Sequence, residues 1–167
     1  MSDPYAALRY PEFRRLGIAT FLITAAILIQ EVALGYELYR ITGDPLALGP
    51  GGLAEAVPFL GLAVFGGHLA DRSEKVALMK RSLLVIIFAS AVLLWLMRPA
   101  LHDVLSQTQL LLTIYGTIFV LGLARGIYSP AGSSLKAFLV PREIYPNSST
   151  WISSFWQAGA VLGPACA

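Results

Sequence analysis

The sequence predicts an all-α membrane protein with five transmembrane helices. Of its 167 residues, 56% are hydrophobic and only 13% are charged, whereas a soluble domain carries about a quarter charged residues. The apolar residues fall into five stretches that approach or exceed the roughly 20 residues that a helix needs to cross the hydrocarbon. Strands of a membrane barrel are shorter and alternate between apolar and polar residues, and the run from Leu83 to Phe88 does not alternate. Membrane helices are therefore the predicted architecture.

Short polar connectors separate the five predicted helices. The turn residues from Thr42 to Pro45 close the first helix, and Arg98 with Pro99 closes the third. Residues 1–15 mix arginine with aromatic side chains and are expected to lie on the cytoplasmic interface, while residues 16–167 form the transmembrane bundle. The spans are expected at about 16–39, 45–70, 76–97, 104–130 and 145–167. Because no interfacial anchor follows the last apolar run, we expect the sequence to stop within or just after the fifth helix.

The cationic residues indicate how the chain is oriented. If the first connector is external, nine cations lie on the cytoplasmic side and two, Arg40 and Arg98, lie outside. This positive-inside bias predicts a cytoplasmic N-terminus. The alternative reading of the cations, a nucleic-acid-binding surface, is disfavoured because they occupy the connectors between apolar runs. The nine cytoplasmic cations are Arg9, Arg14, Arg15, Arg72, Lys75, Lys80, Arg81, Lys136 and Arg142.

Four polar residues inside predicted spans are candidate substrate or ion-coupling residues, because such groups are costly there. Gln30 and Glu31 lie in the first helix, Glu55 in the second and Arg125 in the fourth. A charge at the helix centre costs about 2.5–3.5 kcal/mol on insertion scales, so we expect these groups to face protein or a watery cavity. Arg125 is expected to pair with one of the glutamates, either as part of a substrate or ion-coupling site or as a pair that only fixes helix packing. Glu37 lies nearer the outer surface and is expected to be solvated there.

The fifth helix carries two glycines four residues apart, Gly159 and Gly163, followed by Pro164. This spacing gives one smooth helix face that another backbone can approach closely. The proline removes a backbone donor and can kink the helix. Such a helix can rock against its neighbour, and static close packing is the alternative.

The charged segment from Gly67 to Lys75 separates the second and third apolar runs, and it resembles a signature of the major facilitator superfamily of secondary transporters. In that comparison Gly67 matches the leading glycine, and Asp71 and Arg72 match the charged pair. Arg125 stands where many members carry an arginine in the fourth helix, and Gly159 to Pro164 resembles the fifth-helix motif.

Finer features resemble the enterobactin-exporter-like branch of that superfamily, the transmembrane secretion effectors. The features extend over essentially the whole chain. They are Phe13 to Leu16, Tyr39 to Gly49, Ala56 to Phe59, Ser129 to Ala131, Leu139 to Glu143, and Pro146 with Asn147. The resemblance implies a twelve-helix protein of the bacterial inner membrane, in which this chain supplies five helices of an incomplete six-helix N-terminal half.

The resemblance also implies a mechanism and a role for the charged loop. Such transporters hold the substrate near the midplane and expose it alternately to the two sides. By resemblance, Asp71 and Arg72, with Gly67 and Lys75, form a gating loop that stabilises one closed state. Asp71 is also well placed to cap the following helix, where a carboxylate is favoured, and capping alone is the alternative role. Glu31 is the expected group for proton coupling, because a membrane carboxylate can bind and release a proton as access alternates.

The leading functional prediction is a secondary active exporter of a small molecule. The alternatives are lysophospholipid transport and a membrane scaffold or remnant that transports nothing. An enzyme is not expected, because the spans offer no pair of histidines or cysteines. Cys166 is the only cysteine, and no metal or cofactor is predicted. The expected partners are the lipid bilayer, a small-molecule substrate, protons and the C-terminal helices of the full-length transporter, but not nucleic acid.

Overall fold

The chain is described by a computed structural model that covers residues 3–72, 75–98, 101 and 104–167, with side chains described outside 63–75 and 130–138. Within these ranges the protein is helical and contains no strand, which confirms the predicted all-α class. The long helices there are α1 (Pro11–Thr42), α2 (Leu48–Arg72), α3 (Lys75–Leu96), α4 (Gln107–Leu139) and α5 (Tyr145–Ala165).

Among the described residues, three stretches are long and apolar enough to cross a membrane. They are Pro11–Thr42, Val76–Leu96 and Gln107–Ser129. The helices α1 and α4 extend beyond the apolar runs that predicted them, since α1 begins at Pro11 and α4 continues to Leu139. Proline is well tolerated in the first turn of a helix because its missing N–H would have no helical partner there.

The connector between α1 and α2 is built from the turn residues seen in the sequence. Gly43 adopts a φ of 66° and donates its N–H to the carbonyl of Tyr39 at 2.8 Å, which is typical of a glycine that ends a helix. The carboxylate of Asp44 then accepts a hydrogen bond from the N–H of Leu46 at 2.9 Å. This side chain caps a short 3-10 turn, Pro45–Ala47, which leads into α2.

The chain divides into two compact units, and α1 contributes to both. One contains the chain up to Leu34 together with Ser134–Ala167, and the other contains Gly35–Ser133. In the second unit the buried core includes leucine, isoleucine and alanine side chains of α3 and α4, together with Leu38 of α1. Its largest members are Leu93, Leu96, Leu110, Ile114 and Leu121.

The burial of Glu37 contradicts one prediction from the sequence. Glu37 was expected to be solvated at the outer surface, but the structure leaves it only 6% exposed. Arg40, three residues later on α1, donates to its carboxylate at 2.7 Å. The expectation was wrong because a partner one turn away neutralises the charge and allows the carboxylate to be buried.

In the first unit, the N-terminal segment is held against the start of α5 by Asn147. The side-chain carbonyl of Asn147 accepts from the N–H of Ala7 at 3.0 Å, and its amide donates to the carbonyl of Pro4 at 2.7 Å. The indole of Trp151 donates to the same carbonyl at 2.9 Å. Phe13 is fully buried beside these groups. We call this arrangement, residues 3–10 with Asn147 and Trp151, the N-terminal clamp.

We expect Asn147→Ala to release the N-terminal clamp without unfolding the helices. The change removes two hydrogen bonds, each with a net value of about 0.5–1.5 kcal/mol. Cleavage within residues 3–10 by a protease in detergent should therefore become about tenfold faster, because proteolysis samples local opening. Asn147→Asp keeps the acceptor for Ala7 and should show an intermediate rate. Equal cleavage rates for Asn147→Ala and the unaltered chain would contradict this role.

Candidate functional site

The contact between α2 and α4 is made at two glycines of α4, Gly122 and Gly126. A Cβ atom at Gly122 would lie 2.4 Å from the carbonyl oxygen of Glu55 and 2.8 Å from Cγ of Pro58. A Cβ at Gly126 would lie 2.9 Å from the carbonyl oxygen of Phe59. Contacts this short are sterically forbidden, so only glycine allows the two backbones to come this close.

Pro58 lies inside α2 at the centre of this contact. Proline has no backbone N–H, so the carbonyl of Ala54 loses the hydrogen bond that residue 58 of a regular helix would donate. The helix is thus weakened one turn from Glu55, on the side that meets α4. This part of α2 is built for close approach to α4 rather than for maximal helix stability.

An ion pair between Arg125 and Glu55 stands at the same contact. The guanidinium of Arg125, which lies between the two glycines in sequence, donates from Nη1 to Oε1 of Glu55. The side chain of Arg125 is 9% exposed and that of Glu55 is 26% exposed. Arg125 falls within the apolar stretch Gln107–Ser129, where an isolated charge is costly. Close approach of the helices lets each charge offset the other.

The remaining polar candidates lie on α1, in the first unit. Gln30 is half-buried, and Glu31 is exposed in the middle of the apolar stretch Pro11–Thr42. An acidic residue within an apolar span is costly in contact with lipid tails. Coupling roles for Gln30, Glu31, Glu55 and Arg125 remain predictions.

The gating loop falls mostly outside the described part of the structure. The side chains of Gly67, Asp71, Arg72 and Lys75 lie outside the described residues. The backbone of α2 ends at Arg72 and that of α3 begins at Lys75. The contacts predicted for Asp71 and Arg72 therefore remain predictions.

The glycines of α5 are in close contact with α1. A Cβ at Gly159 would lie 2.7 Å from the carbonyl oxygen of Phe21, and one at Gly163 would lie 2.9 Å from that of Ala25. Pro164 is exposed in the last turn of α5. Both glycines thus have a structural role at this helix pair, whereas sliding or rocking remains a prediction.

The glycines of α4 were not predicted to form a helix contact. Gly122 and Gly126 have the same spacing of four residues as Gly159 and Gly163, so the signal was present in the sequence. The charge of Arg125 between them pointed to a polar site rather than to close packing. Among the described residues, the structure contains no group of three or more histidine, cysteine, aspartate or glutamate residues that could hold a metal ion.

The family model described as transmembrane secretion effector matches residues 2–167. The chain belongs to the transmembrane secretion effector family of the major facilitator superfamily. This confirms the resemblance drawn from the sequence motifs and makes the protein a multi-pass membrane protein of a transporter family.

Curated relatives of this chain include efflux proteins. The chain is 28% identical over 154 residues to macrolide efflux protein A of Streptococcus pyogenes. It has the same identity to macrolide efflux protein A of Streptococcus pyogenes serotype M6, strain ATCC BAA-946 / MGAS10394. Each alignment covers 90% of this chain and 35% of the relative, so the chain spans about a third of the length of these relatives. No solved structure matches it.

Proposed function

We propose that the protein containing this chain is a secondary active exporter of a small molecule that works by alternating access. The chain supplies the first five helices and lies in a bacterial inner membrane, with its N-terminus on the cytoplasmic side. The family match over residues 2–167 and the similarity to efflux proteins support export. The excess of cations in alternate connectors supports the orientation.

The structural observation that supports the proposal most strongly is the Arg125–Glu55 ion pair. A buried pair gives little net stability compared with apolar side chains of similar size. Polar and charged groups within membrane spans typically mark substrate, ion or proton pathways. A proton on Glu55, or a charged solute near Arg125, would weaken the pair and loosen the contact between α2 and α4. The pair therefore offers a chemically simple means of coupling solute binding to helix movement.

Export is tested in a bacterial strain that lacks its major efflux pumps and expresses the full-length polypeptide. We use a radiolabelled macrolide as the first probe because the relatives are macrolide efflux proteins. Cells should accumulate severalfold less macrolide than cells with the empty vector, and a protonophore should abolish the difference. Export would be contradicted if expressing cells and empty-vector cells accumulated equal amounts of the macrolide and equal amounts of each dye in a panel of amphiphilic dyes.

We place proton coupling at Glu31, because this acidic residue lies within an apolar span. Glu31→Gln keeps the side-chain shape and removes the proton-binding group. It should reduce transport driven by a pH gradient at least tenfold while exchange of labelled for unlabelled substrate at equal pH continues. Glu12→Gln is the matched control, since Glu12 is exposed at the start of the same helix and pairs with Arg15 at 2.7 Å. Gradient-driven transport at the normal rate in Glu31→Gln would contradict the assignment.

We also propose that Asp71 and Arg72, with Gly67 and Lys75, stabilise a closed state on the cytoplasmic side. Asp71→Asn removes the charge and keeps hydrogen-bonding capacity. It should lower the transport rate severalfold and leave membrane insertion unchanged, as measured by protein recovered in washed membranes. Normal transport by Asp71→Asn would show that the carboxylate is not required for gating.

A further inference from the structure

The start of α4 is joined to both ends of the connector between α1 and α2 by side-chain hydrogen bonds. The amide of Gln107 donates to the carbonyl of Ile41 at 2.8 Å, and the hydroxyl of Tyr115 donates to the carbonyl of Ala47 at 2.8 Å. Ile41 lies in the last turn of α1, and Ala47 ends the 3-10 turn that leads into α2. We call these four residues the connector brace.

Close packing accompanies the hydrogen bonds of the connector brace. Gly51, in the first turn of α2, is buried. A Cβ atom added there would lie 3.1 Å from Cδ1 of Leu38 on α1 and 3.6 Å from Cε1 of Tyr115 on α4. Leu38 is buried, as are Leu110 and Ile114 of α4. Side chains of α1, α2 and α4 thus meet at the brace and leave little room for independent movement there.

The connector brace and the Arg125–Glu55 ion pair lie at different levels of the same two helices. Arg125 is ten residues beyond Tyr115 on α4, which is about 15 Å along the helix axis. The contacts between α2 and α4 follow the same order along both helices, so the helices run parallel. These contacts join Gly51 to Tyr115, Glu55 to Gly122 and Phe59 to Gly126.

The two attachments of α2 to α4 differ in chemistry. The pair consists of a carboxylate and a guanidinium, whereas the brace consists of an amide, a phenol and two backbone carbonyls. A proton on Glu55 removes the Coulomb attraction to Arg125. The amide of Gln107 and the phenol of Tyr115 do not change charge near neutral pH. The ion pair can therefore be lost while the brace remains intact.

Helix α2 also has a weak point on the side of the ion pair away from the brace. Pro58 follows Glu55 by three residues and leaves the carbonyl of Ala54 without its helical donor. Sharp bends in helices commonly occur at such a proline. The part of α2 beyond Pro58 can therefore change direction while its first turns stay on α4.

We propose that the connector brace is the pivot of α2 on α4. When Glu55 binds a proton or Arg125 meets a charged solute, the two helices separate at the ion pair and beyond it, and they stay together at the connector. Gln107 and Tyr115 are positioning residues that make the loss of the ion pair open the contact at one end. This inference rests on the proposed role of the pair in transport, and it adds the direction of the movement and the residues that fix it.

Distances between nitroxide labels in the purified full-length polypeptide test the proposal. One pair of labels, at Leu46→Cys and Leu112→Cys, reports the connector end of α2 and α4. The other pair, at Leu60→Cys and Ser129→Cys, reports the region beyond the ion pair. All four positions are exposed, so the labels do not displace buried side chains. The background contains no native cysteines, and distances are measured by double electron–electron resonance at constant pH.

Glu55→Gln removes the charge of the carboxylate and so reproduces the effect of protonation. It should lengthen the mean distance between the labels at Leu60 and Ser129 by at least about 2 Å, the scale of helix shifts in switching proteins. The distance between the labels at Leu46 and Leu112 should stay unchanged. Equal lengthening of both distances, lengthening only at the connector end, or no change in either distance would overturn the inference.

The double variant Gln107→Leu/Tyr115→Phe tests whether the brace fixes the pivot. With Glu55 intact the ion pair still holds the helices, so neither distance should change. Combined with Glu55→Gln, the double variant should also lengthen the connector-end distance by at least about 2 Å. Tyr36→Phe/Thr108→Val is the matched control, because both side chains are exposed and form no hydrogen bond to the described residues. A connector-end distance that survives loss of both attachments would overturn the assignment of the brace.

Macrolide flux in liposomes is measured with the same protein before labelling, so this inference and the export function can fail separately. Opening at one end in protein that moves neither the macrolide nor the amphiphilic dyes would refute only the export function. Flux in protein whose two label distances lengthen equally would refute only the pivot.

Discussion

Arg125→Gln should reduce the transport rate about a hundredfold or more. The change leaves the carboxylate of Glu55 beside α4 without the guanidinium that now pairs with it. Removing one partner of a buried ion pair costs about 3–5 kcal/mol, and a cost of this size in only one of the folded transport states would change a rate or equilibrium by two or more factors of ten. Transport is measured per folded protein, which is quantified by fluorescence-detected size-exclusion chromatography.

The double variant Glu55→Gln/Arg125→Gln separates a functional pair from one that only fixes packing. Without either charge, no unpaired ion remains, so the yield of folded protein should recover relative to each single variant. Transport should not recover, because the groups proposed to respond to proton or solute are absent. Recovery of both folding and transport in the double variant would show that the pair serves only helix packing.

Gly122→Val should lower the melting temperature of the protein in detergent by several degrees. Even the Cβ atom would lie 2.4 Å from the carbonyl oxygen of Glu55, so α2 and α4 must move apart. Overpacking of this kind costs about 1–3 kcal/mol. The movement also separates Arg125 from Glu55, so transport should fall in parallel with stability.

Gly116→Ala is the control for this change, because Gly116 lies on the same helix and a Cβ added there would meet no atom of the described residues within 4 Å. Alanine there should leave stability unchanged or raise it by up to about 1 kcal/mol, since glycine is unfavourable inside a helix. Equal melting temperatures for Gly122→Val and Gly116→Ala would contradict the close contact between α2 and α4.

The sequence was sufficient to predict the helices but not all of their ends. A long apolar run predicts the part of a helix that crosses hydrocarbon. It does not predict helical turns that continue beyond the apolar residues. The first helix was therefore expected from Leu16, whereas α1 begins at Pro11. For the same reason α4 continues to Leu139, beyond the apolar stretch that ends at Ser129.

The charged residues show which part of the site can be read from sequence. Glu31, Glu55 and Arg125 were recognised because charge is expensive in a membrane helix. Position along the chain indicates the depth of each group but not the side of the helix on which it meets a neighbour. It could not determine that Glu55 is a partner of Arg125, because that depends on the glycine contact that brings α2 against α4.

The contacts of the N-terminal clamp could not be predicted from the sequence. Asn147 binds the backbone of Pro4 and Ala7 across about 140 positions of sequence. Pro146 and Asn147 were noted only as part of a family pattern, and nothing local predicts which backbone groups they meet. The prediction that Glu37 is solvated was wrong for a related reason, because the burial of Glu37 depends on the packing around α1 as well as on Arg40.

The most direct measurement is transport by the purified full-length polypeptide in liposomes. An inward or outward pH gradient is imposed, and flux of a radiolabelled macrolide is followed. We expect gradient-driven flux well above that of protein-free liposomes, and its loss in Arg125→Gln. Folded, correctly inserted protein that moves neither the macrolide nor amphiphilic dyes faster than protein-free liposomes would contradict the proposed export function.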